Sequence, residues 1–295
     1  MGGLSRTILK QRPSDLVTII FLLFLISLAV IFYRVIPNAT SIIGLYSILI
    51  AAQIVLIKIK SRGNFVRVMY EIVFPVLCVL FIFDSLGSIV HYVNPKDIDP
   101  VLIKLDYMIF GGHPTVMLER IVTPVLTDLL QLAYTTYYFI TVSFGVLLFI
   151  RHQRKELDKS VFMILLCFYL SYLGYILFPA LGPRFYLKTA QTIPLKGFLI
   201  ADPIKNFLNW LEGIKRDAFP SGHTAVTVLV LYLSYRFEKR FFWVCLPVVI
   251  ALILATVYCR YHYVVDVIAG LVLTLLTIFL GEWYYEWWSK KQKII

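Results

Sequence analysis

Charge is scarce in this chain. Asp, Glu, Lys and Arg make up only 15% of its 295 residues, against 60% hydrophobic residues and a mean hydropathy of +0.82. A soluble domain of this size has too little interior to hide so much apolar surface. Soluble globular classes are therefore excluded, and lipid is the solvent for most of the chain. Cysteine is scarce too: Cys78, Cys167, Cys245 and Cys259 lie in or beside apolar stretches without paired spacing. That pattern indicates neither a disulfide framework nor a zinc site. No internal repeat is evident. No small-x-small cleavage site follows the first apolar segment, so its basic start (Arg6, Lys10, Arg12) is expected to precede a retained anchor helix. Positive charge is the exception to the scarcity, with a net +11. Its residues fall in short clusters between apolar stretches, which marks membrane topology and argues against a nucleic-acid partner.

Eight segments meet or approach the roughly 20 apolar residues that cross a bilayer. They are 15–36, 40–57, 68–93, 123–150, 161–180, 221–237, 241–258 and 263–285, the sixth being short and polar at its start. Eight crossings put the N-terminus, Lys58–Arg67, Arg151–Lys159, Arg236–Arg240 and the Lys290–Lys293 tail on one side, and these stretches hold most of the basic residues. The positive-inside rule makes that side cytoplasmic, with both termini there. The other three connections then face the periplasm, exterior or lumen. Two of them carry expected surface helices. Asp202-Pro203 opens one, with Ile204, Phe207, Leu208, Leu211 and Ile214 at helical spacing beside Lys205, Lys215 and Arg216; Asp99-Pro100 opens another, ending near Gly111-Gly112.

Three outward-facing stretches carry chemistry: Gly182-Pro183-Arg184, Phe219-Pro220-Ser221-Gly222-His223-Thr224, and Arg260-Tyr261-His262-Tyr263-Val264-Val265-Asp266. Ionisable groups beside apolar helices are costly unless paired or facing a wet cavity. The Ser221–His223 stretch opens a helix, where free N–H groups favour an anion; Gly222 allows close backbone approach and Ser221 adds a hydroxyl. Arg184 supplies a planar fork suited to phosphate oxygens. His262 and Asp266 are four apart, which on a helix places them on one face. Asp266 then accepts one ring N–H and leaves the other nitrogen free to attack, while His223 protonates a leaving oxygen.

Pro220-Ser221-Gly222-His223 resembles the central motif of the PAP2 (type 2 phosphatidic acid phosphatase) superfamily, and His262-x3-Asp266 resembles the end of its third motif. The resemblance implies that His262 is a nucleophile forming a phosphohistidine, supported by Asp266. It implies His223 as general acid and Arg184, Ser221 and Gly222 as phosphate ligands. The chain departs from the pattern in places. Leu177 stands where the first motif has lysine, proline precedes rather than follows Arg184, and Ala255-Thr256 replace a Ser-Arg pair. Arg260, four residues beyond Thr256, would project from the same helical face and replace the missing charge. These departures, with Phe110–Thr115, Asp128 and the tyrosines of Tyr134–Tyr138, resemble the inositol phosphorylceramide synthase branch.

The expected fold is all-α: a polytopic membrane bundle of about eight transmembrane helices. Residues 1–66 form two N-terminal helices, 67–289 a six-helix PAP2-type catalytic core, and 290–295 a basic cytoplasmic tail. The expected activity is that of a membrane lipid phosphatase or phosphotransferase acting on a lipid phosphate or phospholipid, with water or a lipid alcohol as acceptor. No metal or organic cofactor is expected. Alternatives are a transferase of the inositol phosphorylceramide synthase type, a silent lipid transporter or scaffold, and a two-histidine, one-carboxylate metal site. His91, His113 and His152 read as loop or interface residues. Asp84 and Asp128 read as cavity-lining or helix-bonding groups, and Trp283–Trp288 as an interfacial belt.

Overall fold

Long apolar runs bounded by caps and prolines become long helices, and the computed structural model describes them over residues 11–212 and 216–292. Arg6, Lys10, Ile214, Lys215 and Lys293 lie outside the described residues, as do the side chains of Phe207, Leu208 and Leu211. Helix α1 (Pro13–Ile31) opens on a proline, which sacrifices no intrahelical N–H at that position. Helices α2 (Ala39–Ile59) and α3 (Asn64–Leu86) follow, the latter containing a π turn at Met69–Val73. Two surface helices, α4 (Asp99–Phe110) and α7 (Ala201–Glu212), flank α5 (Pro124–Ile150) and α6 (Arg154–Leu177) in chain order. The bundle closes with α8 (Gly222–Phe237), α9 (Lys239–Tyr258) and α10 (Val264–Gln292).

Among the described residues, seven helices (α1, α2, α3, α5, α6, α9 and α10) are long and apolar enough to cross a bilayer. The sixth expected span, α8, has 16 residues. At 1.5 Å per residue it reaches only about 24 Å, short of the roughly 30 Å hydrocarbon core. It packs against α5, α6, α9 and α10, and Ala225, Val226, Leu229, Val230 and Leu233 are fully buried. Enclosed by longer neighbours, α8 need not match the lipid itself. The expected span 68–93 is shorter than anticipated: its helix starts at Asn64, ends at Leu86, and is followed by a separate turn at Val90–Val93. The last helix runs to Gln292. Its aromatic end is not wholly a lipid-facing belt, because Trp288 is buried and donates from Nε1 to the Gln11 carbonyl at 3.2 Å.

The two leading helices are packed onto the remainder. Phe21 stacks on Tyr169 of α6 with ring centroids 4.6 Å apart, and Arg12 pairs with Asp158 at 2.5 Å. Asp15 accepts from the Tyr70 hydroxyl and, at 3.2 Å, from Gln53.

Both surface helices are held by carboxylates in ways the sequence did not announce. Asp99 does not cap α4. Its oxygens instead accept from the Leu181 and Gly182 N–H groups, each at 2.8 Å, and from the Tyr263 hydroxyl at 2.9 Å. Two turns along, Asp106 accepts from Val264 N at 3.1 Å and Val265 N at 3.0 Å, capping α10 from another helix. Burial raises both carboxyls above their ordinary range, and the backbone donors oppose the shift. Helix α7 begins one residue before Asp202. Its entry is held by Asp128 of α5, which accepts from the N–H groups of Phe198, Leu199, Ile200 and Ala201 at 2.7–3.1 Å. Asp128 is thus a helix-docking residue, and Asp84 lines neither of the two cavities described below.

Candidate active site

The start of α8 is shaped by Ser221, whose hydroxyl accepts from Thr224 N at 3.3 Å as an N-cap. Ser221 N donates to the Asp266 carbonyl at 3.0 Å, which fastens the start of α8 to the first turn of α10. Gly222 has a packing reason for lacking a side chain: a Cβ there would strike the Tyr175 hydroxyl of α6. The loop after α6 is fastened to the same place. Ala218 N donates to the Ala180 carbonyl at 3.0 Å, and Gly182, at φ +93°, brings its Cα where a Cβ would lie 2.6 Å from the Tyr261 carbonyl. Three stretches far apart in sequence therefore meet at one end of the bundle.

His262 lies two residues ahead of α10 rather than on it. Its Nδ1 is 2.8 Å from the Ala218 carbonyl and 3.5 Å from Asp266 Oδ2. The expected placement of both residues on one helical face is corrected here, because His262 precedes the helix; the expected His262–Asp266 pairing is present but longer than the contact to Ala218. Because a carbonyl can only accept, the 2.8 Å contact assigns the ring N–H to Nδ1, directed at Ala218, and Asp266 reaches back from the first turn to accept from Tyr263 N at 2.8 Å, as in a capping box. With Nδ1 protonated toward that carbonyl, Nε2 carries the lone pair.

His223 is held between aromatic rings, stacked on Tyr134 at 4.4 Å and tilted against Tyr137 at 4.2 Å, and its ring lies 5.8 Å from that of His262. Its Nε2 is buried and has no hydrogen-bond partner among the described residues. A buried polar atom left so costs about 1–3 kcal/mol, which marks a position a ligand would complete.

Arg184 sits on the short turn Pro183–Tyr186, its guanidinium 5.2 Å from the Tyr261 ring centroid, and its N–H donates to the Arg260 carbonyl at 3.1 Å. Arg260 is not helical. It follows the end of α9 at φ +64°, so the expected projection from the Thr256 face does not occur. Its guanidinium pairs with Glu119 at 2.7 Å and donates to the Ile193 carbonyl at 2.6 Å. Burial lowers its pKa, and Glu119 opposes that. Burial likewise pushes the neighbouring Cys259 thiol up to about 12. Among the described residues, no three His, Cys, Asp or Glu side chains are gathered as metal ligands.

An apolar groove of about 250 Å³ leads to the site between α3, α5 and α6. Val79, Phe83, Val142, Gly145, Ile164 and Phe168 line its middle, His223 and Asp217 one end, and Glu71 and Ser160 the other. Glu71 is neutralised by Arg154 at 2.6 Å. The sequence singled out His223, His262, Asp266, Arg184, Ser221 and Gly222, and the fold brings all of them to this end of the bundle. It did not single out the roles of Ala218, Asp99 and Asp106. Backbone carbonyls carry no sequence signal. The two aspartates were visible only as acids spaced seven apart on a surface helix.

Residues 102–280 match the family model described as the PAP2 superfamily. A PA-phosphatase related-family protein of Dictyostelium discoideum is 27% identical over 178 residues, 54% of this chain and 32% of that protein. The matched stretch thus spans about a third of that relative's length. No solved structure matches the chain.

Proposed function

Since the chain belongs to the PAP2 superfamily, we propose that it is a membrane lipid-phosphate phosphatase or phosphotransferase that works through a phosphohistidine. His262 Nε2 attacks phosphorus in line, and the bond from phosphorus to the lipid oxygen breaks. His223 Nε2 gives its proton to that oxygen, worth about 10²–10⁴ in rate. Arg184 and the start of α8 at Ser221–Gly222 hold the non-bridging oxygens as their charge rearranges. Water or a lipid alcohol then attacks phosphorus of the phosphohistidine, the bond from phosphorus to His262 Nε2 breaks, and His223 takes the attacking oxygen's proton. Ala218 and Asp266 keep the His262 tautomer throughout. Arg260 acts at the rim, its charge shared with Glu119.

One observation carries this reading: two imidazoles 5.8 Å apart within a membrane bundle, one of them lining the end of an apolar groove with a buried nitrogen that has no partner among the described residues. The groove suits a lipid tail whose phosphate emerges at His223. The catalytic unit is residues 67–289, with 1–66 as ancillary helices and 290–295 as a tail. The basic stretches lie at the end of the bundle away from the site, which supports cytoplasmic termini and a site facing the exterior, periplasm or lumen.

Hydrolysis is the broader description. Transfer to a lipid alcohol, as in the inositol phosphorylceramide synthase type, is the second reading. It is favoured by Leu177, which is 52% exposed where the first motif has lysine, and by the fully buried Ala255-Thr256 pair. Purified protein incubated with labelled lipid phosphate or phospholipid, with and without ceramide or diacylglycerol, separates them. Free labelled phosphate means hydrolysis, and a labelled new lipid means transfer. Full retention of turnover in His262→Ala would defeat both.

A further inference from the structure

A second cavity, about 650 Å³, adjoins the site on its outer side. Arg184, Lys188, Lys196, Lys205 and Arg260 line it, against one lining carboxylate among the described residues, Asp202. Arg260 has Glu119. Lys188, Lys196 and Lys205 form no ion pair with any described residue. Like charges converging on one concavity repel one another unless an anion joins them. Their position makes this the more notable, since they lie at the end of the bundle away from the basic clusters that fix topology. The cleft borders the site. Arg184 and Tyr261 line it, and Tyr261 stacks on Tyr134 at 4.3 Å, which stacks on His223 at 4.4 Å. Gln131, also in its wall, fixes Tyr261 by donating to its hydroxyl at 2.9 Å.

Building on the site proposed above, we propose that this cleft is a second anion subsite, which takes negative charge carried by the substrate headgroup beyond the phosphorus under attack. A single phosphate is served by Arg184 and the start of α8. Three further lysines are surplus to a monophosphate but match a polyanionic headgroup. Two sources share that chemistry: the second phosphate of a lipid diphosphate, and a phosphate carried on the polyol ring of a phosphodiester headgroup.

The full-length protein in neutral detergent is titrated with inorganic phosphate and with pyrophosphate at fixed ionic strength, with binding read by calorimetry. Pyrophosphate is expected to bind about tenfold tighter. In Lys188→Gln/Lys196→Gln/Lys205→Gln that ratio should fall toward one, and in the Lys→Arg triple variant it should return. These side chains are exposed, so the variants are not expected to disturb folding. An unchanged ratio in the Gln variant overturns the subsite. So does an equal loss for both anions, or a change confined to binding of anionic-lipid vesicles, which would make the lysines a plain surface attractant. Turnover of a lipid diphosphate and of an inositol phospholipid phosphorylated on its ring in the two variants then identifies the source: the one whose KM rises in the Gln variant and recovers with Arg is the natural headgroup class. If the anion ratio holds but no lipid phosphate is turned over, the subsite stands and the catalytic reading fails. If turnover is normal and the ratio is flat, the subsite fails alone.

Discussion

Asp106 is a residue whose removal separates positioning from mere stability. It lies on a surface helix and touches no reacting atom, yet it accepts the Val264 and Val265 N–H groups at the start of α10, two residues after His262. Those donors belong to the four that every helix start leaves without an intrahelical partner. Losing a cap costs about 1 kcal/mol, and donors left dry cost more; Asp106 is only 2% exposed. Asp106→Ala should therefore cost about 2 kcal/mol, and Asp106→Asn, which keeps one acceptor oxygen, about half of that. The kinetic consequence should be larger. His262 is held by its own N–H to Thr256 and by Nδ1 to Ala218, so unwinding the first turn of α10 shifts the ring against two fixed points. A displacement near 1 Å costs on the order of 100-fold when the nucleophile must lie in line. Steady-state kinetics on a short-chain lipid phosphate should show kcat down about 10–100-fold in Asp106→Ala, KM within about twofold, and an intermediate value in Asp106→Asn. Loss of thermal stability with kcat intact would refute the reasoning, because the cap would then serve only the fold. A change in KM alone would refute it equally.

Three further outcomes follow from the same geometry. Asp99→Ala frees Leu181 and Gly182 beside Arg184, so KM should rise more than kcat falls, the reverse of the Asp106 pattern in the same assay. His223→Gln should reduce turnover of alkyl phosphates by about 10³-fold but that of an aryl phosphate far less, since a good leaving group needs no proton; equal losses for both substrates would remove the general-acid role. A Cβ at Gly145 meets nothing within 4 Å, so Gly145→Phe should fold normally, fill the groove and lower kcat/KM for long-tailed substrates while sparing short ones, which a chain-length series would check.

Much of the architecture was legible in the sequence because lipid imposes simple rules. Runs of apolar residues became helices at nearly the expected places, and polar residues set against them marked the site. The exceptions have physical reasons. Helix α8 is shorter than a lipid-facing span because its neighbours, and not lipid, surround it; the run of Ala225–Leu233 looks the same either way. Arg260 was expected on a helix because spacing was the only guide, but α9 stops at Tyr258 and the chain reverses at a positive φ. Asp99, Asp106 and Asp128 were visible only as acids on or beside helices, yet each serves backbone donors from a distant segment, and such pairings depend on tertiary contact. The partner of His262 Nδ1 is a main-chain carbonyl, which no residue identity could reveal.

The most direct test is chemical trapping of the enzyme during turnover. Protein quenched while processing a lipid phosphate labelled on phosphorus should carry acid-labile, base-stable label on the peptide containing His262, absent in His262→Ala and accumulating when the acceptor is withheld. Label on Ser221 or on a carboxylate, or brisk turnover with no label on this histidine, would contradict the account.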